Sequence, residues 1–268
     1  MLRHLRICLA ALALAAVPPL TLLPWPPRSA DAAVASPAAP FKVGCGCSFW
    51  SGYIAYNPPA TAFGYGLQGP TDFGWGSSAS WVQPAATCTA TDTAANFWVG
   101  LGNTALAPVW RVGTDTDCSG GSPKYYAWYG TSTFSANSGV VPQVTFGGTV
   151  SAGDSITAGV TCFNGGCIFQ VVDYTANWTA VYSAAYSSTP TSSEVMVSRP
   201  QSGLVPLTNF GTVTFNTISF GAAAASAFNP QQIPAITNSA GTSLDSTSAL
   251  GGGASAGASF SATWLGAS

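Results

Sequence analysis

The chain has 268 residues, of which 47% are hydrophobic and only 6% are charged. Its one histidine, His4, lies in a leader that we expect to be removed, so the remaining chain excludes Ser-His-Asp and Cys-His nucleophile systems and zinc sites that need histidine. Without the leader, four basic residues stand against eight acidic ones, a net charge of about −4. This balance disfavours nucleic acid and anionic membranes as partners.

The first 32 residues have the composition of a secretory signal peptide. A basic start precedes an apolar run over residues 7–17, and small residues follow, ending in Ala30, Asp31 and Ala32. The run is too short to span a bilayer, and three prolines interrupt a longer membrane helix. We therefore predict a signal peptide over residues 1–32, a secreted protein, and an Ala/Pro linker or pro-segment over residues 33–47.

Residues 48–268 predict a single all-β domain. Short alternating runs are separated by Gly, Pro, Asn and Ser, and none has a sustained helical period. Together they predict an antiparallel sandwich or barrel. The stretch over residues 221–257, rich in Ala, Ser and Gly, predicts a long loop with at most one or two weak strands. The runs are residues 49–56, 79–83, 97–101, 109–113, 125–129, 140–146, 155–162, 168–174, 178–183, 194–198, 212–220 and 259–264.

Residues 96–129 concentrate aromatic and charged side chains in three of these predicted strands. Phe97, Val99 and Leu101 share one face of a strand, while Trp98 and Gly100 share the other. This segment therefore brings polar groups onto an aromatic surface. Further along the chain, the only glutamate in the sequence, Glu194, also lies in a predicted strand.

Six cysteines follow the signal peptide, and an even number in an exported chain predicts disulfides rather than free thiols. Cys162 and Cys167 flank a two-residue Asn-Gly turn, where they form a non-hydrogen-bonded pair whose Cα separation, about 4.5 Å, suits a disulfide. Cys45 and Cys47 are too close to bridge comfortably, so we expect one or both to reach Cys88 or Cys118. A four-cysteine metal site lacks the usual spacing, and we expect no cofactor.

Six blocks in this order resemble successive blocks of the glutamic peptidases, also called eqolisins. They are WSGY at residues 50–53, WVGLG at 98–102, VWRVGTD at 109–115, YYAWY at 125–129, SEVMV at 193–197 and PLTNFGTVTF at 206–215. The match covers most of the chain after the signal peptide. The resemblance implies a sandwich of two large antiparallel sheets, of the concanavalin or lectin-like kind. It also implies export and endopeptidase activity at acid pH through a catalytic Glu and Gln pair.

Residue by residue, the family's catalytic Glu corresponds to Glu194, and its catalytic Gln corresponds to Arg111. The resemblance thus assigns catalysis to these two positions. It keeps Trp98 and Asp115 as substrate-groove or supporting residues, and we place the aromatic side chains Tyr126 and Trp128 beside them. Three further positions depart from the family pattern around the same site: Gly130, Val195 and Ser198.

A carboxyl group among aromatic side chains has a raised pKa, so Glu194 can exchange protons with a water or a leaving amine at mildly acid pH. An arginine in contact with it would instead lower that pKa by about 1 to 3 units. Two functions follow. One is a secreted acid endopeptidase with Glu194 as general acid/base and Arg111 in the oxyanion role. In this case the arginine weakens or abolishes the peptidase activity. The other is a non-catalytic relative that binds peptide or carbohydrate, or has a structural role.

Simpler readings remain for individual residues. In the first, Glu194 forms an ordinary ion pair with Arg111 or Arg199. In the second, Asp115 and Asp117 cap a turn. In the third, four aromatic side chains belong to the sandwich core: Trp98, Trp110, Tyr126 and Trp128. Aspartic peptidase chemistry is disfavoured because no Asp-Thr-Gly or Asp-Ser-Gly occurs, whereas a metal-dependent lectin using the two aspartates stays open. We expect a monomer whose partner is a polypeptide substrate or ligand.

Overall fold

The structure, a computed structural model, describes most of the chain from residue 49 onward. The predicted signal peptide, the linker, Cys45 and Cys47 lie outside the described residues, as does Asn164. Every described residue belongs to one compact unit. The described ranges are 49–56, 61–62, 73–89, 91–102, 109–132, 143–163, 165–185, 190–199, 205–221, 223–224, 230–252 and 257–267.

Every regular element within these ranges is a β-strand, so none of them contains a helix that could cross a membrane. All twelve predicted runs overlap strands. The strands are β1 (Trp50–Tyr56), β2 (Thr61–Ala62), β3 (Phe73–Val82), β4 (Thr93–Gly102), β5 (Val109–Ser119), β6 (Ser122–Ser132), β7 (Val144–Thr149), β8 (Ser155–Phe163), β9 (Gly166–Asp173), β10 (Trp178–Ala185), β11 (Ser192–Ser198), β12 (Thr212–Phe220), β13 (Ala223–Ala224), β14 (Gln231–Ile233), β15 (Asp245–Thr247) and β16 (Ala258–Trp264).

The strands form two antiparallel sheets. The front sheet has the order β14-β1-β11-β4-β5-β6-β7, and the back sheet has the order β10-β9-β8-β3-β12-β16-β15, with β13 paired to β12 and β2 paired to β3. The predicted antiparallel two-sheet β-sandwich is therefore confirmed. Neighbours such as β4 and β11 lie far apart in sequence, so the centre of the front sheet is assembled from distant segments.

The stretch over residues 221–257 contains three short strands, β13, β14 and β15, so the prediction of at most two was wrong. Two of them, β14 and β15, are the end strands of the two sheets. A strand of three residues there is defined by its backbone pairing, and alternation of its side chains does not reveal it in the sequence. A buried carboxyl group anchors this stretch: Asp245 accepts hydrogen bonds from the Ser51 hydroxyl and from the Ile236 amide, the latter at 2.6 Å.

The main core lies between the two sheets and is built by alternation. On β4 the side chains of Phe97, Val99 and Leu101 are fully buried there, as predicted. The block at residues 206–215 supplies aromatic partners, since Phe210 packs edge-on against Phe97 at 5.3 Å and Phe215 packs against Trp81 at 5.4 Å. Burying each of these large side chains contributes roughly 1.5–3 kcal/mol to folding.

A second, smaller apolar layer lies on the other face of the front sheet, which we call the outer face. It consists of Trp98, Trp128 and Met196, all buried, with Tyr126, Trp50, Ile54 and Ile233 packed against them. The sequence allowed Trp98, Trp110, Tyr126 and Trp128 to be sandwich core. Of these four, only Trp110 belongs to the core between the sheets. Trp98 and Trp128 flank Gly113 in the strand register. A Cβ at Gly113 would lie 2.0 Å from the Phe97 carbonyl oxygen, so this close approach requires glycine.

Two disulfides are present among the described cysteines. Cys162 and Cys167 are bonded across the β8–β9 hairpin in the expected register, with Cα atoms 4.0 Å apart. Cys88 and Cys118 are bonded to each other. The expectation that Cys45 or Cys47 reaches one of them was therefore wrong. Cys118 pairs in register with Thr93, which places it beside the segment that carries Cys88.

Candidate active site

Glu194 and Arg111 lie in one row across the centre of the front sheet. Glu194 pairs with Gly100 on β4, and Gly100 pairs with Arg111 on β5, so both side chains are on the outer face. Neighbouring strands are about 4.8 Å apart, which separates the two backbones by about 10 Å. Position 100 carries no side chain, and the Trp98 ring of the same strand occupies the space above it, since a Cβ at Gly100 would lie 2.6 Å from Trp98 Cζ3.

The Glu194 carboxyl is held on its own side of this row. Its Oε1 accepts a hydrogen bond from the Ser192 hydroxyl at 2.9 Å, and a Cβ at Gly102 would lie 2.6 Å from the same oxygen. Burial raises the pKa of Glu194, while the Ser192 hydrogen bond and the Arg111 charge act to lower it. The described residues contain no ion pair between Glu194 and either Arg111 or Arg199. The ion-pair interpretation is therefore wrong for this structure.

Arg111 is packed between aromatic rings. Its guanidinium carbon lies 4.9 Å from the centre of the Trp98 ring and 5.9 Å from that of Trp128. Only 6% of the residue is exposed, and Nε makes no hydrogen bond. Burial lowers the pKa of Arg111 to about 10, although the charges of Glu194 and Asp115 oppose that shift. The side chain therefore stays positive at acid and neutral pH, stabilised by cation–π contacts.

Asp115 and Asp117 lie within β5, and the turn that follows contains Gly120 and Gly121. The turn-capping interpretation is therefore wrong. Asp115 accepts a hydrogen bond from the Trp128 indole, and Asp117 accepts one from the Tyr126 hydroxyl at 2.8 Å.

Burial and the charge of Asp117 raise the pKa of Asp115 well above its ordinary value, against the hydrogen bonds of Tyr126 and Trp128 and the charge of Arg111. At acid pH Asp115 is thus a neutral acid in the aromatic layer.

The three other departures from the family pattern have different surroundings. Ser198 accepts a hydrogen bond from the Trp98 indole at 2.9 Å, and Gly130 is the register partner of Arg111 on β6. Val195 faces the core between the sheets. Two of the three departures therefore border the outer-face site, and the third belongs to the core.

Sequence reasoning missed Ser192, Gly102 and Tyr56. Ser192 precedes Glu194 by two positions on the same strand, so the period of two was a usable signal for it. Tyr56 pairs with Ser192 in register, and burial and the Glu194 charge raise the pKa of its hydroxyl. The pairing of β1 with β11 is not visible in the sequence, so Tyr56 required the structure.

The arrangement combines a carboxyl group of raised pKa with a fixed positive charge on the same face of the sheet. Such a pair can move a proton at one position and stabilise a developing negative charge at another. Within the described ranges no group of three or more His, Cys, Asp or Glu side chains is placed to hold a metal ion. The structure therefore adds no support for the metal-dependent lectin alternative.

The fold and the site define a glutamic-peptidase-like protein. The Peptidase A4 family matches residues 61–256, and the chain belongs to this family. The resemblance inferred from the six sequence blocks is thereby confirmed.

Solved structures of similar fold include scytalido-glutamic peptidase with a transition state analog inhibitor, with a TM-score of 0.58 and 19% identity over 81% of this chain and 98% of that chain. SCP-B of the eqolisin family, in complex with the tripeptide Ala-Ile-His, has a TM-score of 0.56 and 18% identity over the same shares. Aspergilloglutamic peptidase from Aspergillus niger has a TM-score of 0.51 and 24% identity over 65% and 99%. At these identities the likeness shows the fold. No curated protein matches the chain.

Proposed function

We propose that this protein is a secreted endopeptidase that hydrolyses polypeptides at acid pH, with Glu194 as general acid/base and Arg111 facing the oxyanion. One observation carries the proposal: both residues lie in a single row of the outer face, separated by Gly100. The raised pKa of Glu194 supports it, because burial moves the protonation equilibrium of this carboxyl from its ordinary range towards neutral pH.

In the proposed reaction, ionised Glu194 accepts a proton from a water molecule whose oxygen bonds to the carbonyl carbon of the scissile peptide. The negative charge on the carbonyl oxygen develops towards Arg111, whose charge stabilises it. Glu194 then donates the proton to the amide nitrogen, and the carbon–nitrogen bond breaks. A new carboxyl end and a new amino end leave the site.

We expect the native protein to be a weak enzyme. A neutral amide at position 111 would donate a hydrogen bond to the oxyanion, whereas Arg111 is held by Trp98 and Trp128. The loss of one preorganised oxyanion donor lowers turnover by about 10²- to 10³-fold.

The test is cleavage of a denatured protein at acid pH by the native chain, Arg111→Gln and Glu194→Gln. We expect weak cleavage by the native chain, faster cleavage by Arg111→Gln and none by Glu194→Gln. Vigorous native cleavage that depends on Glu194 would instead make Arg111 an effective substitute for the amide. Cleavage that survives Glu194→Gln would refute the proposed mechanism.

A second candidate is a protein that binds peptides on the outer face without cutting them. The observation that favours it is that Glu194 is hydrogen-bonded to Ser192 and makes no ion pair with Arg111 among the described residues. Binding of a peptide without cleavage, by both the native chain and Arg111→Gln, would select this candidate.

Export is the remaining element of the proposal. It is supported by the leader-like composition of residues 1–32 and by the two disulfides of the described chain. Sequencing the amino terminus of protein collected from the culture medium tests it, with a start after Ala32 as the expected result. Retention of the whole chain inside the cell would contradict export.

A further inference from the structure

Arg111 is a largely buried positive charge whose Nε makes no hydrogen bond. Its Nε is buried without a partner, and no described side chain forms an ion pair with it. Taking a charge out of water is unfavourable unless it is paired, and the cation–π contacts with Trp98 and Trp128 replace only part of its hydration. The site therefore holds a donor group that still requires an acceptor.

The nearest acidic side chains do not supply that acceptor. Glu194 is engaged by Ser192 and lies beside Gly102, and Asp115 is engaged by the Trp128 indole. Asp115 also carries little charge at acid pH, because burial and Asp117 raise its pKa well above the ordinary value. The positive charge of Arg111 thus remains unmatched under acidic conditions.

We propose that Arg111 binds a carboxylate group of the peptide ligand and makes the protein selective for peptides that carry one beside the position facing Glu194. This inference rests on the second candidate above, peptide binding at the outer face, because a guanidinium bonded to a ligand carboxylate does not also face the oxyanion of a cleavage step. The carboxylate belongs to an acidic side chain or to the carboxyl end of the peptide, and both present the same chemistry. A guanidinium forms two parallel charge-assisted hydrogen bonds with a carboxylate, which gives direction as well as affinity.

The surroundings of Arg111 fit this role. The rings of Trp98 and Trp128 lie beside the guanidinium and limit its contact with water, which strengthens an ionic hydrogen bond. A Cβ at Gly100 would lie 2.6 Å from Trp98 Cζ3 and 3.1 Å from Arg111 Cγ, so the missing side chain lets the ring and the arginine pack together. A neutral amide at position 111, which the family resemblance implies, would not make this ionic contact.

Calorimetric titration of four matched peptides tests the inference. The peptides share one sequence with either Glu or Gln at an internal position and either a free or an amidated carboxyl end. The titrations use Glu194→Gln to prevent cleavage, at a pH where peptide carboxylates are ionised. We expect at least one carboxylate to tighten binding about 10- to 100-fold, the factor that corresponds to a charged hydrogen bond of about 1.5–3 kcal/mol.

Adding Arg111→Gln to this background should abolish the preference for the carboxylate while neutral peptides still bind. Arg111→Lys, which keeps the charge without the planar fork, should retain an intermediate preference. Equal binding of charged and neutral peptides by all variants would overturn the inference and leave the peptide site standing. Absence of binding by every peptide would overturn both the inference and the proposed function.

A second measurement needs no variant. Only two arginines, Arg111 and Arg199, follow residue 32, so arginine labelled with ¹⁵N gives two Nε signals in the secreted form. Arg199 lies over the Phe49 ring at 4.9 Å and serves as the internal control. The acidic peptide should shift the Arg111 signal and leave that of Arg199 in place. Unchanged signals for both at saturating peptide would refute the contact.

Discussion

Ser192 and Glu194, two positions apart on β11, are joined by a hydrogen bond of 2.9 Å from the serine hydroxyl to Oε1. This bond favours the ionised carboxyl and opposes the effect of burial, which raises the pKa of Glu194. The serine therefore keeps the general acid/base of the proposed reaction from becoming more strongly protonated.

We expect Ser192→Ala to raise the pKa of Glu194 further. Glu194 is the only glutamate in the chain, so glutamate labelled with ¹³C gives one side-chain carboxyl signal whose titration can be followed directly. Ser246→Ala, at an exposed position of β15, is the control and should leave the titration unchanged. A pKa that stays constant or falls in Ser192→Ala would contradict the role of the serine.

Gly102→Ala should displace the Glu194 carboxyl. The added Cβ would lie 2.6 Å from Oε1 and 2.8 Å from the Ser192 hydroxyl oxygen, which is too close for both groups to remain in place. A misplacement of about 1 Å at a reacting group lowers turnover by about 10²-fold, so the weak cleavage should disappear. The ¹³C signal of Glu194 should shift even if there is no cleavage to measure.

Gly147→Ala on β7 is the matched control for that change. No atom lies within 4 Å of a Cβ at Gly147, so this substitution should leave both the signal and the activity as they are. Equal effects of the two alanines would mean that the first acts through general destabilisation.

The protein should become more stable as the pH falls from neutral. Folding raises the pKa of a set of carboxyls, so the folded chain binds more protons than the unfolded chain, and the stabilisation is lost as the pH rises through the folded-state values. Burial raises the pKa of Asp245 to about 6, against the opposing hydrogen bonds from Ser51 and Ile236. Among the described residues, the carboxyls whose pKa is raised are Asp115, Asp117, Asp173, Glu194 and Asp245.

For Asp245 alone, a rise from 3.8 to about 6 corresponds to about 3 kcal/mol, present below pH 4 and lost as the pH passes 6. Urea unfolding at several pH values measures this trend. Asp245→Asn resembles the protonated acid and should flatten the pH dependence. Maximal stability at neutral pH in the native chain would contradict the expectation.

Removal of the Cys88–Cys118 disulfide should destabilise the protein more than removal of the Cys162–Cys167 disulfide. The two bonds close segments with sequence separations of 30 and 5, and loop-closure entropy predicts contributions of about 3.6 and 2.1 kcal/mol. Denaturant unfolding of the two double alanine variants measures the difference. The reverse order would show that native-state packing, rather than the unfolded chain, governs these bonds.

The hairpin at Cys162 and Cys167 was predictable because all of its determinants are local. A two-residue turn fixes the register, and the register brings the two cysteines face to face. The core face of β4 was predictable for a similar reason, since alternation shows which side chains share a face. What alternation did not show is that both faces of β4 are buried, because Trp98, Trp128 and Met196 from three strands cover the second one.

The site itself required long-range information. Arg111 and Glu194 come together because β5 and β11 both pair with β4, and no local pattern specifies those pairings. The family resemblance proposed the two positions in advance, but the contacts of their side chains with Trp98 above Gly100, with Gly102 and with Ser192 required the structure. The disulfide partner of Cys88 was mispredicted for the same reason. The pairing of Cys88 with Cys118 depends on the long-range pairing of β4 with β5, which no local pattern specifies.

The two faces of the front sheet carry side chains with different roles, which selection or design can change separately. On β5, the side chains of Trp110 and Val112 pack in the core between the sheets, while those of Arg111 and Asp115 lie on the outer face. The same holds on β11 for Val195 and Glu194. Substitutions at Arg111 or Glu194 would therefore change the chemistry of the outer face while the core between the sheets stays as it is, whereas substitutions at Trp98, Trp128 or Met196 would also disturb the buried apolar layer of that face.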